Sequence, residues 1–134
     1  MNITTNMVYT AIKGAIKDEY PNVYATSEKV NIPSQFPCVE IVEIDTYPER
    51  NATTINLTDD QRRSVFEVQA YSNLQSGAAL QARNIIDITT AKFRELGYRC
   101  TTSGAVLNAA DTTIKRHVAR YTRFIGGGDT LEEV

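Results

Sequence analysis

Residues 64–72 read Ser-Val-Phe-Glu-Val-Gln-Ala-Tyr-Ser, and apolar and polar side chains alternate along most of this stretch. Successive side chains of a β-strand point to opposite faces of the sheet. One face would carry Phe66, Val68 and Ala70. The other would carry the mixed set Val65, Glu67, Gln69 and Tyr71. The pattern predicts a long strand whose apolar face is turned towards the core.

Three further regions of the sequence predict strands. Residues 38–44 (CVEIVEI) place Val39 and Ile41 on one face and Cys38, Val42 and Ile44 on the other, which is typical of a strand that is partly covered on both sides. A weak strand is predicted within residues 22–27, after Pro21. Tyr98 to Thr102 and Ala105 to Leu107 predict one strand with a bend at Gly104, and residues 114–125 (IKRHVARYTRFI) predict a long final strand.

Two stretches have the spacing of amphipathic helices. Between Thr4 and Tyr20, apolar residues recur at intervals of three and four, which gathers them on one helical face. A second apolar stripe runs from residue 79 to Leu96, with Ser76 as the expected N-cap and Gly97 as the stop signal.

The order of elements is helix, strand, strand, loop, strand, helix, strand, strand. This order predicts the α+β class, with a mainly antiparallel sheet of four to five strands and two helices packed on one face. At 134 residues the chain has the size of one domain, which we assign to residues 1–125. Three glycines at 126–128 predict a flexible C-terminal tail over residues 126–134.

Composition limits the classes of function. With 42% hydrophobic and 22% charged residues, the chain should fold without disulfide or metal staples. The net charge of −2 argues against a protein that binds nucleic acid over its whole surface, although residues 1–60 have a net charge of −5 and residues 61–134 of +3. No apolar run approaches the roughly 20 residues of a membrane-spanning helix, and Cys38 and Cys100 are expected to remain free thiols.

The sequence predicts no catalytic, metal or cofactor site. A nucleophile usually needs a neighbouring base, and the single histidine, His117, lies in a basic strand beside Arg116. Glu40 and Glu43 are three residues apart on a strand, so their carboxylates should point to opposite faces. Two cysteines 62 positions apart and one histidine form no recognisable set of metal ligands.

The final strand carries four basic residues within nine positions: Lys115, Arg116, Arg120 and Arg123. Alternation places Arg116 and Arg120 on one face with Val118 and Phe124, and Lys115 and Arg123 on the other. One interpretation is an exposed strand whose charges keep it soluble and prevent edge pairing. The other is a subunit interface or a DNA-facing surface. The candidate acidic partners in a neighbouring copy are Glu40, Glu43, Asp45, Glu49, Asp59 and Asp60.

The segment from Asp45 to Arg63 is rich in Asp, Glu, Thr and Asn and has little apolar content. It is expected to be a long loop. It is either a solvated hairpin tip without a role, or a segment that becomes ordered when it docks on a partner.

Several phrases resemble the tail terminator (tail completion) proteins of long-tailed phages and prophages. They are FPCVEI at residues 36–41, FEVQAYSN at 66–73, FRELGYR at 93–99 and RHVARYTRF at 116–124. The resemblance spans roughly residues 4–125 and rests on the organisation of the chain, since no single motif is diagnostic.

The resemblance implies a non-enzymatic virion protein that is assembled in the host cytoplasm. It implies a homo-oligomeric ring, a hexamer in this family, that caps the tail tube protein, ends tube growth and presents a surface to the head-tail connector or stopper protein. DNA would pass through the lumen of such a ring. Another neck component, a connector or stopper, is an alternative, and a small nucleic-acid-binding module is a further one.

Overall fold

A computed structural model describes residues 5–29, 33–48, 62–107 and 111–125. The chain forms helix α1 (Thr5–Glu19), strand β1 (Tyr24–Thr26), strand β2 (Cys38–Pro48) and strand β3 (Arg62–Ser72). Helix α2 (Ala78–Glu95), strand β4 (Arg99–Val106) and strand β5 (Lys115–Ile125) follow. The order of helices and strands is the predicted one.

The strands form one sheet in the order β1-β2-β3-β5-β4. The pairs β2 with β3, β3 with β5 and β4 with β5 are antiparallel, whereas β1 pairs parallel to β2. The α+β class is therefore confirmed, with a mixed sheet rather than a purely antiparallel one. Strand β5 lies inside the sheet, between β3 and β4, and β1 and β4 are the edge strands.

The core lies between one face of the sheet and the two helices. From the helices it receives Val8, Ile12, Ile16, Ile85, Ile86 and Phe93. From the sheet it receives Val39, Ile41, Phe66, Val68, Ala70, Ala119 and Tyr121. The predicted core face of β3 is thus confirmed. At the centre, the ring of Phe93 stacks on Tyr121 with centroids 4.2 Å apart, and Phe66 and Tyr98 surround this pair.

The opposite face of the sheet bears no helix among the described residues, and we call it the helix-free face. It carries Glu40 and Val42 of β2, Glu67, Gln69 and Tyr71 of β3, and Arg116, Val118, Arg120 and Phe124 of β5. At one end, Cys38, Tyr71 and Ile114 form a small buried cluster against which Tyr24 and Phe36 pack. This second cluster confirms that β2 is covered on both sides over part of its length.

Two local predictions were wrong. Ser76 is not the N-cap of α2, because Gly77 occupies that position in a left-handed conformation (φ 82°) and offers no side chain for capping. Strand β4 does not bend at Gly104, and its irregularity lies between Cys100 and Thr102. The stop signal at Gly97 is confirmed by its φ of 86°, a left-handed conformation that glycine adopts without steric cost.

The predicted loop from residue 45 to 63 begins too early and ends too late. Strand β2 continues to Pro48, and β3 already begins at Arg62, which pairs with Pro48 across the ladder. Backbone pairing does not require apolar side chains, so a polar composition concealed these strand ends. Residues 49–61 and the predicted tail at 126–134 lie outside the described residues.

Candidate interface on the helix-free face of the sheet

The register of β5 against β3 decides where the four basic residues lie. Arg120 stands opposite Glu67, and Arg116 stands opposite Tyr71, on the helix-free face. Arg123 stands opposite Ser64 on the helix side. The predicted division into two faces is therefore confirmed, and the four cations do not form one continuous patch.

Arg120 is bound to Glu67 on the neighbouring strand. Its Nε and Nη2 atoms both lie 2.9 Å from Glu67 Oε2, and Lys29 Nζ lies 3.7 Å from Oε1. The Glu67 side chain is 9% exposed and that of Arg120 is 51% exposed. The carboxylate is thus nearly covered, while half of the guanidinium surface remains available to a partner.

A chain of hydrogen bonds continues this pair along β3. Gln69 Nε2 donates to Glu67 Oε1 (3.2 Å), and Gln69 Oε1 accepts from Tyr71 Oη (3.1 Å) and from Arg116 Nη1 (3.2 Å). Arg116 Nη2 also donates to the carbonyl of Leu107 at 3.4 Å, whereas its buried Nε has no partner among the described residues. The two arginines are therefore held in place by the sheet itself.

Glu40 lies on the same face but is only 1% exposed. Burial, and then the charge of Glu40, raise the pKa of Tyr71, with which Glu40 shares a hydrogen bond. The prediction that Glu40 is an accessible acidic contact for a neighbouring copy was wrong, because its side chain is buried.

The remaining predicted acids are differently placed. Glu43 points to the helix side, opposite to Glu40 as predicted, and accepts hydrogen bonds from Thr5 Oγ1 (2.5 Å) and Ser64 Oγ (2.8 Å). Asp45 belongs to β2, where its backbone pairs with Val65, and its side chain lies outside the description. Glu49, Asp59 and Asp60 lie outside the described residues.

The two basic residues on the helix side have structural roles. Arg123 Nη1 donates to the carbonyl of Leu96, the C-cap residue of α2, and its guanidinium packs over Gly97. A cation at a helix C-terminus complements the partial negative charge of the last carbonyls. Lys115 Nζ donates to the carbonyl of Thr112 at 3.0 Å within a local turn.

His117 and the cysteines form no reactive pair. His117 Nε2 lies 3.2 Å from Ser103 Oγ on the helix side, and burial lowers the pKa of the imidazole, with Asp87 raising it and Arg83 lowering it. Cys38 and Cys100 are both free, and they point to opposite faces of the sheet. Burial raises the pKa of the Cys38 thiol to about 12, so this thiol is unreactive at neutral pH.

The described residues contain no group of three or more His, Cys, Asp or Glu side chains that could hold a metal ion. Neither α1 nor α2 is long and apolar enough to cross a membrane.

The helix layer has a cleft between the ends of α1 and α2. Four carboxylates line it, those of Asp18, Glu19, Asp87 and Glu95, together with Lys92. Lys92 pairs with Glu95 at 3.2 Å. The acidic lining repels a polyanion, so the cleft itself is unsuited to nucleic acid.

Sequence reasoning identified Arg116 and Arg120 but missed Gln69 and Glu67 as their partners, and Lys29 as a second cation beside Glu67. Alternation along each strand had already placed Glu67 and Arg120 on one face of their strands. What was lacking was the order of strands, because nothing in the sequence says that β3 and β5 are neighbours. No family model matches the chain, and no curated protein is significantly similar to it.

Proposed function

We propose that the chain is a structural subunit of a phage-like tail, which forms a ring on the head-proximal end of the tail tube and ends tube growth. The proposal starts from the resemblance of residues 36–41, 66–73, 93–99 and 116–124 to tail terminator proteins. It assigns the protein a role in assembly, with the tail tube protein below the ring and a connector or stopper protein above it.

The arrangement of the sheet is the observation that carries this proposal. A closed ring needs two different surfaces on each subunit, which meet when one copy is placed beside the next. Here one sheet has both helices on one side, and its two unlike edges, β1 and β4, lie at opposite sides of the subunit. Such a subunit has two unlike sides available for contact with its neighbours.

The chemistry of the helix-free face also favours docking over reaction. Glu67, Gln69 and Arg120 hold one another in fixed positions, which presents a rigid polar surface. Polar groups that are already positioned lose little conformational freedom when a partner binds. Half-exposed Arg120 and exposed Phe124, four residues further along β5 on the same face, offer a charged and an apolar contact.

The nucleic-acid-binding alternative is less well supported. Phosphate binding relies on cations whose charge is uncompensated, and Arg120 already shares its charge with Glu67. The acidic cleft on the helix layer adds repulsion. We expect weak, salt-sensitive retention of DNA at most, and tight retention at physiological salt would favour the alternative.

The proposal is tested by measuring the mass of the purified full chain by light scattering over a concentration series, with and without tail tubes assembled from its cognate tube protein. We expect rings of identical copies, six in number, either in solution or on the ends of tubes, and tubes that stop growing once capped. A chain that remains monomeric and ignores tube ends would overturn the terminator role. Binding to a connector ring without binding to tubes would place the protein elsewhere in the neck.

A further inference from the structure

Strand β4 is an edge of the sheet without cover from the described residues. It is eight residues long, within the described ranges it pairs only with β5, and most of its side chains are exposed. Natural edge strands are usually shortened, covered, or interrupted by charges or proline. In β4 the residues after Arg99 are Cys, Thr, Thr, Ser, Gly, Ala and Val, without any charge or proline. As far as the structure describes the chain, the outer backbone of this strand is therefore open to another extended chain.

The opposite edge of the sheet has the complementary direction. Strand β1 is parallel to β2. The strand direction then reverses three times, from β2 to β3, from β3 to β5 and from β5 to β4. As a result β4 runs opposite to β1. A rotation about an axis parallel to the strands leaves these directions unchanged, so it brings β4 of one copy beside β1 of the next in an antiparallel orientation.

We propose that strand β4 of each copy pairs antiparallel with strand β1 of the next copy and joins the sheets into a continuous ring wall. This inference rests on the proposed ring and identifies its subunit contact. The helices of all copies then lie on one side of the wall. Because the circumference is larger on the outside, the helix layer lies there and the helix-free face lines the lumen.

The faces of the two strands restrict the register of this pairing. Thr26 of β1 and Thr102 and Gly104 of β4 belong to the helix-free face, and Ala25 and Ser103 belong to the helix side. Residues directly opposite each other in a ladder point to the same face. Thr26 can therefore stand opposite Arg99, Thr102, Gly104 or Val106, which share its face, but not opposite Ser103.

Charge selects among these registers. Antiparallel pairing directs the start of β4 towards the bend at residues 27–28 that follows β1, where Glu28 is exposed and its backbone N–H donates to Thr26 Oγ1. With Thr26 opposite Thr102, exposed Arg99 lies near this bend, and its long side chain can reach Glu28 of the next copy. Neither side chain has an ionic partner within the described part of its own chain. With Thr26 opposite Gly104 or Val106, Glu28 would lie near uncharged residues of β4, and with Thr26 opposite Arg99 it would lie beyond the start of β4.

Charge reversal tests the contact. Arg99→Glu and Glu28→Arg should each shift ring formation at tube ends to at least ten-fold higher protein concentration, since each places like charges together. The double variant Arg99→Glu/Glu28→Arg should restore the concentration required by the wild type. Lys17→Glu, an exposed reversal on α1, is the matched control and should change nothing. Circular dichroism verifies that each variant is folded.

Crosslinking tests the register independently. In Thr26→Cys/Thr102→Cys the two new thiols belong to different copies and lie within disulfide distance across the ladder, so mild oxidation should give covalent rings and their fragments. Thr26→Cys/Val106→Cys places the thiols four residues out of register and should remain monomeric under denaturing conditions.

The outcomes separate this inference from the proposed function. If rings form normally in both single reversal variants and Thr26→Cys/Thr102→Cys gives no crosslink, the strand contact is overturned and the proposed ring is unaffected. Wild-type protein that forms no ring at all, even with tubes present, would overturn both. Rescue by the double reversal together with the selective crosslink would establish the contact.

Discussion

The Arg120 guanidinium on β5 holds the Glu67 carboxylate on β3 through two nitrogen atoms, each 2.9 Å from the same oxygen. Glu67 is 53 residues away in sequence and nearly covered, so this pair ties the last strand to the middle of the sheet. A half-exposed partner limits what the pair contributes to stability, because solvent screens the interaction.

A double-mutant cycle should measure that contribution. We expect a coupling of about 0.5–1 kcal/mol between Glu67→Gln and Arg120→Gln in urea unfolding at low salt, decreasing at 1 M salt. Arg120→Gln alone should cost more than Glu67→Gln alone, since it leaves the nearly covered Glu67 carboxylate with the more distant Lys29 as its cation, whereas water solvates the exposed cations that Glu67→Gln leaves behind. A coupling near zero at low salt would show that the pair only orients the two side chains.

Arg123 should matter more to stability than its neighbour Lys115. Arg123→Gln removes the contact with the Leu96 carbonyl and with it a cation at the end of α2, which should lower the free energy of unfolding by about 0.5–1 kcal/mol. Lys115→Gln is the matched control, because this exposed lysine touches only a local turn, and it should stay within about 0.5 kcal/mol of the wild type. Equal losses in the two variants would contradict the capping role.

Two glycines should respond differently to alanine. Gly97 has a φ of 86°, and a Cβ added there would lie 3.4 Å from the guanidinium of Arg123. Gly97→Ala should therefore destabilise the fold by about 1–2 kcal/mol. At Gly104 a new Cβ meets nothing within 4 Å, and the backbone is not left-handed. Gly104→Ala should therefore be neutral or slightly stabilising in thermal unfolding, because alanine restricts the unfolded chain.

Cys38 should make stability fall at alkaline pH. Burial raises the pKa of this thiol from its ordinary 9.0 to about 12. The unfolded chain therefore releases the proton near pH 9 while the folded chain keeps it, so the free energy of unfolding is unaffected by this group below pH 9 and falls as the pH rises towards 12. Cys38→Val should flatten this part of the pH profile relative to the wild type.

The same burial can be seen by thiol labelling. At pH 8 Ellman's reagent should react with Cys100, which is half-buried, well before Cys38, and both should react at once in denaturant. Cys100→Ser is the control that isolates the slow thiol. Rapid reaction of Cys38 in the folded Cys100→Ser variant would contradict its burial.

The periodicity of side chains predicted the elements and their faces. It placed Phe66 and Val68 in the core and separated Arg120 from Arg123, because alternation along a strand is a local property. Gly97 likewise ended α2 where expected, since a left-handed residue is required there.

Periodicity could not predict which strands are neighbours in the sheet or which side chains are covered by distant parts of the chain. The partnership of Glu67 with Arg120 depends on β5 entering the sheet beside β3, and the burial of Glu40 depends on tertiary packing that alternation along β2 does not show. The ends of β2 and β3 were hidden by polar side chains, because a backbone ladder places no demand on their polarity.

The position of β5 has a consequence for biosynthesis. This strand is the last of the five to leave the ribosome, yet it provides the ladder by which β4 joins the sheet and one of the two ladders of β3. A nascent chain that lacks it can form the β2–β3 hairpin and α2 but not the complete sheet. The edge presented by β4 therefore does not exist until translation of the domain is complete, which keeps chains on one polysome from joining before each is folded.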